Sequence, residues 1–147
     1  MSKTASLFHI VFATKSRKST LSIHNRELLH RFINSEIAKK GCKLYRINSM
    51  PDHVHMLIDL NPEIALTDFV RDIKSYSSSW LKTRPEFPHF DGWCRGYYAA
   101  SKSSEHIDIV INYIKNQEQH HFGRSLEDEL KAFYKKYNFS WHDNELC

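Results

Sequence analysis

The pattern of apolar and polar residues predicts strands and helices in alternation. Leu7 to Ala13 is a short run of β-branched and aromatic residues, which is typical of a strand. Apolar residues then recur at helical spacing, and Gly41 follows them where a glycine commonly ends a helix. The apolar positions of this first helix are Leu28, Leu29, Phe32, Ile33 and Ile37. The segment Lys43 to Asn48 predicts a second strand.

A third strand, His53 to Leu60, is predicted after the turn-forming pair Pro51-Asp52. Side chains of a strand alternate between its two faces, so this segment presents two different surfaces. One face carries Val54, Met56, Ile58 and Leu60, and the other carries His53, His55, Leu57 and Asp59. The segment Leu66 to Leu81 then predicts a second, amphipathic helix.

The remaining segments complete an α+β fold. They are a loop from Thr83 to Arg95, a strand from Gly96 to Lys102, a helix capped by Ser104 and a last helix beginning near Ser125. The order β-α-β-β-α-β, followed by two helices, predicts a ferredoxin-like or RRM-like antiparallel sheet with helices on one face. In that topology the first and third strands are central. His53 and His55 would then lie on the face opposite the helices.

Composition limits the class of protein. The chain has 147 residues, which suits a single domain spanning residues 1–147. Its hydrophobic content of 41% and its charged content of 26% are typical of globular proteins and argue against a disordered chain. A net charge of +4 permits a nucleic-acid partner without establishing one.

Cysteine usage and hydropathy predict the compartment. Apolar runs are too short to span a bilayer, and the N-terminus lacks the pattern of a signal peptide. The cysteines, Cys42, Cys94 and Cys147, are odd in number and widely spaced. We therefore expect three reduced thiols in a cytoplasmic protein.

Two pairs of residues could carry chemistry. His53 and His55 project to the same side of a strand, which suits two ligands of one metal ion. Tyr113 and Gln117 are four residues apart and share one side of the third helix. Taken alone, each pair has a commoner explanation, because surface histidines and half-buried tyrosines occur in many proteins without a catalytic role.

Other polar residues can be interpreted either as ligand contacts or as ordinary surface groups. The loop cations Lys15, Arg17 and Lys18 are typical of a solvated loop, although hydroxyl groups between them would also suit phosphate contacts. His120 and His121 could be ligands, but cations at a helix end are the favoured interpretation. Asp52 is interpreted as a turn former.

Two segments, taken together, resemble a known family. MPDHVHML at residues 50–57 and YIKNQEQHH at residues 113–121 are similar to the motifs of the HUH single-tyrosine transposases. These are small transposases of bacterial and archaeal insertion sequences that move as single strands. TKSR at residues 14–17 and WCRGYYAAS at residues 93–101 also fit, although Cys94 and the run from Tyr97 to Ala100 follow the family pattern only loosely. The resemblance covers about residues 5–139.

The resemblance implies a reaction and a site. Tyr113 would be the nucleophile, and His53, His55 and Gln117 would bind a divalent ion, Mg²⁺ or Mn²⁺. The substrate would be single-stranded DNA with hairpins near the element ends, cut through a 5′-phosphotyrosine intermediate. Proteins of this family are homodimers whose active sites can be completed between subunits. The basic residues expected to contact this DNA are Lys15, Arg17, Lys18, Lys102 and Lys115.

Two alternatives remain beside a DNA transposase. The first is a host-recruited relative that cuts hairpin DNA but no longer moves an element. The second is a non-catalytic module of RRM-like fold that binds RNA or single-stranded DNA. Such modules stack bases on exposed aromatic residues of the sheet. The histidines predicted on that face disfavour the second alternative.

Overall fold

The predicted sheet is present. The computed structural model describes residues 2–120, 125–143 and 145–147, with the side chain of His120 excepted. Its strands are β1 (Leu7–Ala13), β2 (Lys43–Met50), β3 (His53–Asp59) and β4 (Tyr98–Lys102). They form an antiparallel sheet in the order β2-β3-β1-β4. The α+β fold class is confirmed, and β1 and β3 occupy the centre as expected.

Helices lie on both faces of this sheet. They are α1 (Arg26–Lys39), α2 (Leu66–Lys82), α3 (Ile107–Lys115), α4 (Gln117–His120) and α5 (Leu126–Lys136). Two short 3-10 turns, Lys15–Arg17 and Ser104–His106, precede α1 and α3. Helix α4 ends at His120. The side chain of His120 and the whole of His121 lie outside the described part of the chain, so the expectation for these two histidines is not tested.

The larger core lies between the sheet and helices α1 and α2. The apolar face of β3 points into it, as the alternation of residues predicts. Buried members from the strands and the two helices include Ile10, Phe12, Val54, Met56, Ile58, Leu29, Ile33, Phe69 and Ile73. Each is at most 1% exposed, and burying one such side chain contributes about 1.5–3 kcal/mol. This core holds β3 rigidly in the middle of the molecule.

The C-terminal helices cover the opposite face. Leu57 packs against Val110 and Ile114 of α3, whereas Val11 packs in a cluster with Leu130 of α5. The face that carries the two histidines is therefore enclosed between the sheet and α3 and α5. This enclosure decides the properties of the candidate site.

The third helix differs from the prediction in two ways. Ser104 does not cap it: α3 follows the 3-10 turn Ser104–His106, and that turn is capped by Ser103, whose hydroxyl accepts from the amide of Glu105 at 3.2 Å. The helix also breaks at Asn116, so that Gln117 begins a separate short helix. The amide nitrogen of the Asn48 side chain, on β2, donates to the carbonyl oxygen of Ile114 at 3.0 Å. That bond satisfies one of the carbonyl groups left without a helical partner at the break.

Two glycines have conformational roles. Gly41 has a φ of +69° and ends α1, as the sequence predicts. Gly96 precedes β4, which begins at Tyr98 and not at Gly96. The amide of Gly96 donates to the carbonyl oxygen of Leu146 at 2.9 Å. A Cβ at Gly96 would lie 3.0 Å from the Leu146 Cα, so a larger residue there would push the C-terminal segment away by a few tenths of an ångström.

The prediction of three reduced thiols is wrong for two of the cysteines. Cys94 and Cys147 form a disulfide, with their Cα atoms 4.4 Å apart. The pairing brings the C-terminus beside β4, a proximity that the spacing of 53 residues does not reveal. Cys42 is a thiol. Within the described part of the chain, no helix has the length and apolar character needed to cross a membrane.

Candidate active site

Strand β3 places the two histidines side by side. His53 and His55 lie on the same face, as expected, and their ring centroids are 5.0 Å apart. Neither residue has any solvent exposure. The rings lie in the centre of the sheet beneath the C-terminal helices.

Each histidine has a polar partner at its Nδ1 atom. His53 Nδ1 lies 2.7 Å from Asp52 Oδ1, and His55 Nδ1 lies 2.9 Å from His9 Nε2. Such partners fix the orientation and the tautomer of an imidazole and leave Nε2 for a metal. Asp52 therefore does more than form a turn, and His9 is a residue of the site that the sequence did not single out.

His9 is suited to accept a hydrogen bond because it is neutral. Burial lowers its pKa well below the ordinary value, and the charge of Lys102 acts in the same direction. A neutral His9 with an acceptor Nε2 requires that His55 donates through Nδ1. The lone pair of His55 Nε2 then points to the other side of the ring.

Helix α5 contributes a third group that the sequence analysis missed. Glu129 has no solvent exposure, and its Oε1 lies 2.7 Å from His55 Nε2. Glu129, His53 and His55 each offer a ligand atom, and these atoms lie within 4.8 Å of one another. Burying a carboxylate is costly unless it is paired or binds a metal. The available signal was an acidic residue beside the apolar positions Leu126 and Leu130 of α5.

Tyr113 lies next to this cluster. Its ring centroid is 6.0 Å from that of His55 and 6.0 Å from that of His9. Phe133, on α5, contacts the Tyr113 ring edge-on at a centroid distance of 5.8 Å. Tyr113 and the two histidines are more than fifty positions apart in the sequence, yet they lie together in one site of a single chain.

Gln117 is also buried close to Tyr113. It has no solvent exposure, and its Nε2 donates to the carbonyl oxygen of Tyr113 at 3.3 Å. The sequence placed it at the edge of the apolar stripe of an unbroken helix. The break at Asn116 turns it fully inward instead. Its role as a metal ligand stays a prediction.

The cations expected to contact DNA have different surroundings. Arg17 donates from its guanidinium group to the carbonyl oxygen of Glu145 at 2.5 Å, and Lys18 forms an ion pair with Asp91 at 2.9 Å. Lys15 and Lys115 are exposed. Lys102 lines a cavity of about 520 Å³ next to Tyr113. A role in binding DNA stays a prediction for all five.

Comparison with known proteins supports the same family as the motifs. The sequence model of the family described as "Transposase IS200 like" matches residues 2–117. The transposase for insertion sequence element IS200 of Salmonella typhimurium strain LT2 is 27% identical over 125 residues, which cover 81% of this chain and 82% of that protein. The ISDra2 transposase TnpA of Deinococcus radiodurans is 30% identical over 71 residues, 48% of this chain and 51% of that protein.

Solved structures agree on the fold. A crystal structure of a candidate transposase from Deinococcus radiodurans R1 has a TM-score of 0.58 and 25% identity, covering 80% of this chain and 95% of that one. A REP-associated tyrosine transposase bound to a REP hairpin has a TM-score of 0.61 and 14% identity, covering 83% and 75%. With the family model matching most of its length, this chain belongs to the family of IS200-like transposases.

Proposed function

We propose that this transposase cleaves and rejoins single-stranded DNA at hairpin-marked ends, with Tyr113 as the nucleophile and a divalent metal in the adjoining site. The observation that carries the proposal is the position of the Tyr113 ring, 6.0 Å from the ring of His55, beside the cluster of His53, His55 and Glu129. A nucleophile and a metal cluster are the two parts that such a phosphoryl transfer needs.

The covalent step uses the hydroxyl oxygen of Tyr113. This oxygen attacks the scissile phosphorus, the bond from phosphorus to the 3′-oxygen breaks, and a 5′-phosphotyrosine forms. The phenol gives up its proton, and the departing 3′-oxygen takes up a proton to become a hydroxyl group. Attack by another 3′-hydroxyl reverses these changes and reseals a strand. No nucleotide cofactor is required, because the phosphotyrosine bond retains the energy of the original linkage.

The donor set of the site fits a divalent ion. His53 and His55 are oriented by Asp52 and His9, and Glu129 adds a buried carboxylate oxygen. Carboxylate and amide oxygens suit Mg²⁺ and Mn²⁺, and neutral imidazoles are also accepted by Mn²⁺. We propose that His53, His55 and Gln117 hold the ion, with Glu129 completing the cluster. When bound, such an ion acts as a Lewis acid on the phosphate.

Substrate access requires a change in the site. His53, His55, Gln117 and Glu129 have no exposed surface in this structure. A phosphate can therefore reach the histidines only if part of the cover formed by α3 and α5 moves, and Glu129, with its Oε1 2.7 Å from His55 Nε2, is one of the groups it would have to displace. A phosphate oxygen and a carboxylate oxygen are both hard anionic ligands, so one can replace the other.

Hairpin DNA is the proposed partner. The REP-associated transposase, which shares the fold, was solved bound to a REP hairpin, and this supports a hairpin ligand here. The net charge of +4 is compatible with a phosphate backbone. The RNA-binding alternative is disfavoured because the sheet face that would stack bases is covered by α3 and α5.

We also propose a homodimer that works in the cytoplasm, on the ground that its proposed substrate is DNA. The disulfide between Cys94 and Cys147 gives this compartment no support, because disulfides are rare in cytosolic proteins. The expectation that active sites are completed between subunits differs from the present geometry, in which Tyr113 lies beside His55 of its own chain. We therefore propose that Tyr113 serves its own site. A host-recruited nuclease would have the same site, and flanking DNA with paired hairpin ends would identify a mobile element.

The proposal is tested by trapping the covalent intermediate. Purified protein is incubated with Mn²⁺ and single-stranded hairpin DNA from either side of the gene, and adducts are resolved by denaturing electrophoresis and mapped by mass spectrometry. Wild type should form an adduct on Tyr113, while Tyr113→Phe should bind the DNA without forming one. An adduct that persists in Tyr113→Phe would reassign the nucleophile.

Two controls make this test specific. Tyr45→Phe removes a hydroxyl from another partly buried tyrosine that packs beside α3, and it should leave adduct formation unchanged. The same sequence presented as a duplex should not be cut, and equal cutting of duplex and single strand would contradict the proposed substrate.

A further inference from the structure

A cavity of about 520 Å³ opens beside Tyr113 and is separate from the histidine cluster. It lies between β4, α3 and α5, and its volume is in the range that holds small organic ligands. The residues that matter for its chemistry are Lys102, His106, Tyr113, Phe133, Lys136 and Tyr137. No carboxylate is found among its described lining residues. The lining therefore combines cationic groups with aromatic rings.

Two ammonium groups converge on one aromatic ring in this cavity. The Nζ atoms of Lys102 and Lys136 lie 5.1 Å and 5.7 Å from the centroid of the Tyr137 ring. Lys102 also donates to the hydroxyl oxygen of Tyr137 at 2.8 Å. Neither ammonium forms an ion pair with a carboxylate of the described residues. Two ammonium groups at one ring, without a carboxylate partner among the described residues, create a positive potential that favours an anionic group in the cavity.

The aromatic walls suit a planar ligand. Phe133 and Tyr137 are half-buried and lie one helical turn apart at the C-terminal end of α5. Phe133 already stacks on Tyr98 and Tyr137 on Phe139, so a ligand in the cavity would meet the other face or the edge of each ring. Bases without a partner stack on such rings, and each stacked base contributes about 1–3 kcal/mol to binding. An anionic phosphate linked to a planar base matches both features of the cavity.

The cavity also reaches the reacting groups. Tyr113 forms part of its wall, and His9, another lining residue, contacts His55 Nδ1 at 2.9 Å. A ligand in the cavity would thus lie next to both the nucleophile and the metal-binding histidines. On these grounds, and resting on the proposed function, we propose that the cavity binds one unstacked nucleotide of the single-stranded substrate, adjacent to the phosphate that Tyr113 attacks.

The phosphate part of the proposal is tested by removing the two ammonium groups. Binding of a fluorescent hairpin oligonucleotide with a single-stranded flank is measured at several salt concentrations, in a Tyr113→Phe background that prevents cleavage. Lys102→Gln combined with Lys136→Gln should weaken binding about tenfold. The slope of log affinity against log salt concentration should become less steep by about 0.7 for each phosphate that is no longer neutralised. The matched control is Lys82→Gln with Lys135→Gln, which removes the same charge from exposed positions.

Equal affinity and equal salt dependence in the two double variants would overturn the proposal. Thermal unfolding of both variants shows whether a loss of binding reflects a loss of folding. The measurement does not use cleavage, so it gives an answer even if Tyr113 forms no adduct.

The base part is tested by photo-crosslinking. A 5-iododeoxyuridine is placed at each position of the flank in turn, and crosslinked peptides are identified by mass spectrometry. One position should crosslink to the peptide that contains Phe133 and Tyr137, and Tyr137→Leu should reduce that yield. Crosslinks found only in other peptides, or equally from every position, would overturn the proposal.

The two proposals fail in different ways. An adduct on Tyr113 without a position-specific crosslink leaves the tyrosine chemistry intact and removes the nucleotide site. A position-specific crosslink without an adduct leaves a single-strand binding site and removes the tyrosine chemistry.

Discussion

The properties of His53 and His55 depend on the atoms that surround them. Asp52 and His9 occupy the Nδ1 side of the two rings, and Glu129 lies at the Nε2 side of His55. Partners of this kind set the direction of the lone pair that a metal requires. Two histidines alternating on a strand are common, but this arrangement of partners converts them into a candidate metal site.

Glu129 is expected to contribute directly to metal binding. Replacing it by Gln keeps the size of the side chain but removes the anionic oxygen beside His55. We expect Glu129→Gln to weaken Mn²⁺ binding by about 10- to 100-fold, the size of effect typical of groups around a metal site. Isothermal titration calorimetry on the folded protein measures the change.

Glu127→Gln is the matched control for this change. Glu127 lies on the same helix, is exposed, and pairs with Lys131 at 3.3 Å away from the histidines. Its substitution should leave Mn²⁺ affinity unaltered. Equal affinities for Glu129→Gln and the wild type would mean that the cluster does not include Glu129.

Because of His30, we expect the free energy of unfolding to depend on pH. Burial lowers its pKa from 6.5 to about 4, and the charges of Arg26 and Arg46 act in the same direction. Between pH 6.5 and pH 4 the unfolded chain therefore binds more protons at His30 than the folded protein does. The contribution of a neutral His30 to the free energy of unfolding is complete above pH 6.5 and is lost as the pH falls toward 4. The loss at pH 5 should be about 1–2 kcal/mol.

Chemical denaturation at pH 7 and pH 5 tests this expectation. His30→Gln retains a group that can bond to the Ser49 hydroxyl, the partner of His30 at 2.8 Å, but it does not titrate. The variant should therefore lose less stability between the two pH values than the wild type does. His89→Gln, at an exposed position, should lose as much as the wild type. Parallel losses in all three proteins would contradict the prediction.

Helix α5 connects the packing of the second face with the candidate site. Leu126 and Leu130 anchor it on the sheet, while Glu129 and Phe133 reach His55 and Tyr113. The residues matched by the family model end at 117, so this helix follows the matched region. The packing of α5 on the sheet thus keeps the histidine site covered and positions Phe133, which lines the cavity beside Tyr113.

Weakening that anchor should loosen α5 selectively. Leu130 has no solvent exposure, so Leu130→Ala should cost about 2–5 kcal/mol, most of it in the contact of α5 with the sheet. Hydrogen exchange should show faster exchange across Leu126–Lys136 and unchanged protection in α1. Ile33→Ala, an equally buried change in the larger core, should instead affect α1 and the sheet. Uniform loss of protection in Leu130→Ala would show that α5 does not open separately.

At the scale of the whole molecule, we predict that each chain carries its own complete active site. Tyr113 and His55 are neighbours within one chain, so a mixture of Tyr113→Phe and His55→Ala proteins should form no covalent adduct. Each protein supplies only one of the two required groups to its own site. Denaturing electrophoresis measures the adduct, and sedimentation velocity shows whether the proteins mix as dimers. Restored adduct in the mixture would mean that the tyrosine serves the partner subunit.

Much of the architecture could be predicted from local patterns. The alternation in β3 and the helical spacing around Ile33 indicate which side of each element faces the larger core, and the glycine at position 41 marks the end of α1. Burial of apolar side chains dominates folding, so its periodicity survives in the sequence. The differences lie at the ends and in the continuity of elements, such as the break at Asn116, and in the covering of the histidine face by α3 and α5.

The chemistry of the site could be predicted only in part. His53, His55 and Tyr113 belong to local motifs that the sequence alone shows. His9 and Glu129 belong to no motif, and each is a single polar residue in an otherwise apolar segment. Only their positions opposite His55 give them a role.

The elements, the faces that meet the larger core and the family can be inferred from the amino-acid sequence, because these follow from periodicity and from residues close together in the chain. The tertiary structure alone decided that α5 covers the histidines, that Cys94 pairs with Cys147, and that two lysines and an aromatic ring form a cavity beside Tyr113. Those features depend on contacts between residues far apart in the chain. Such contacts are set by how the helices pack on the sheet, and no local pattern encodes them.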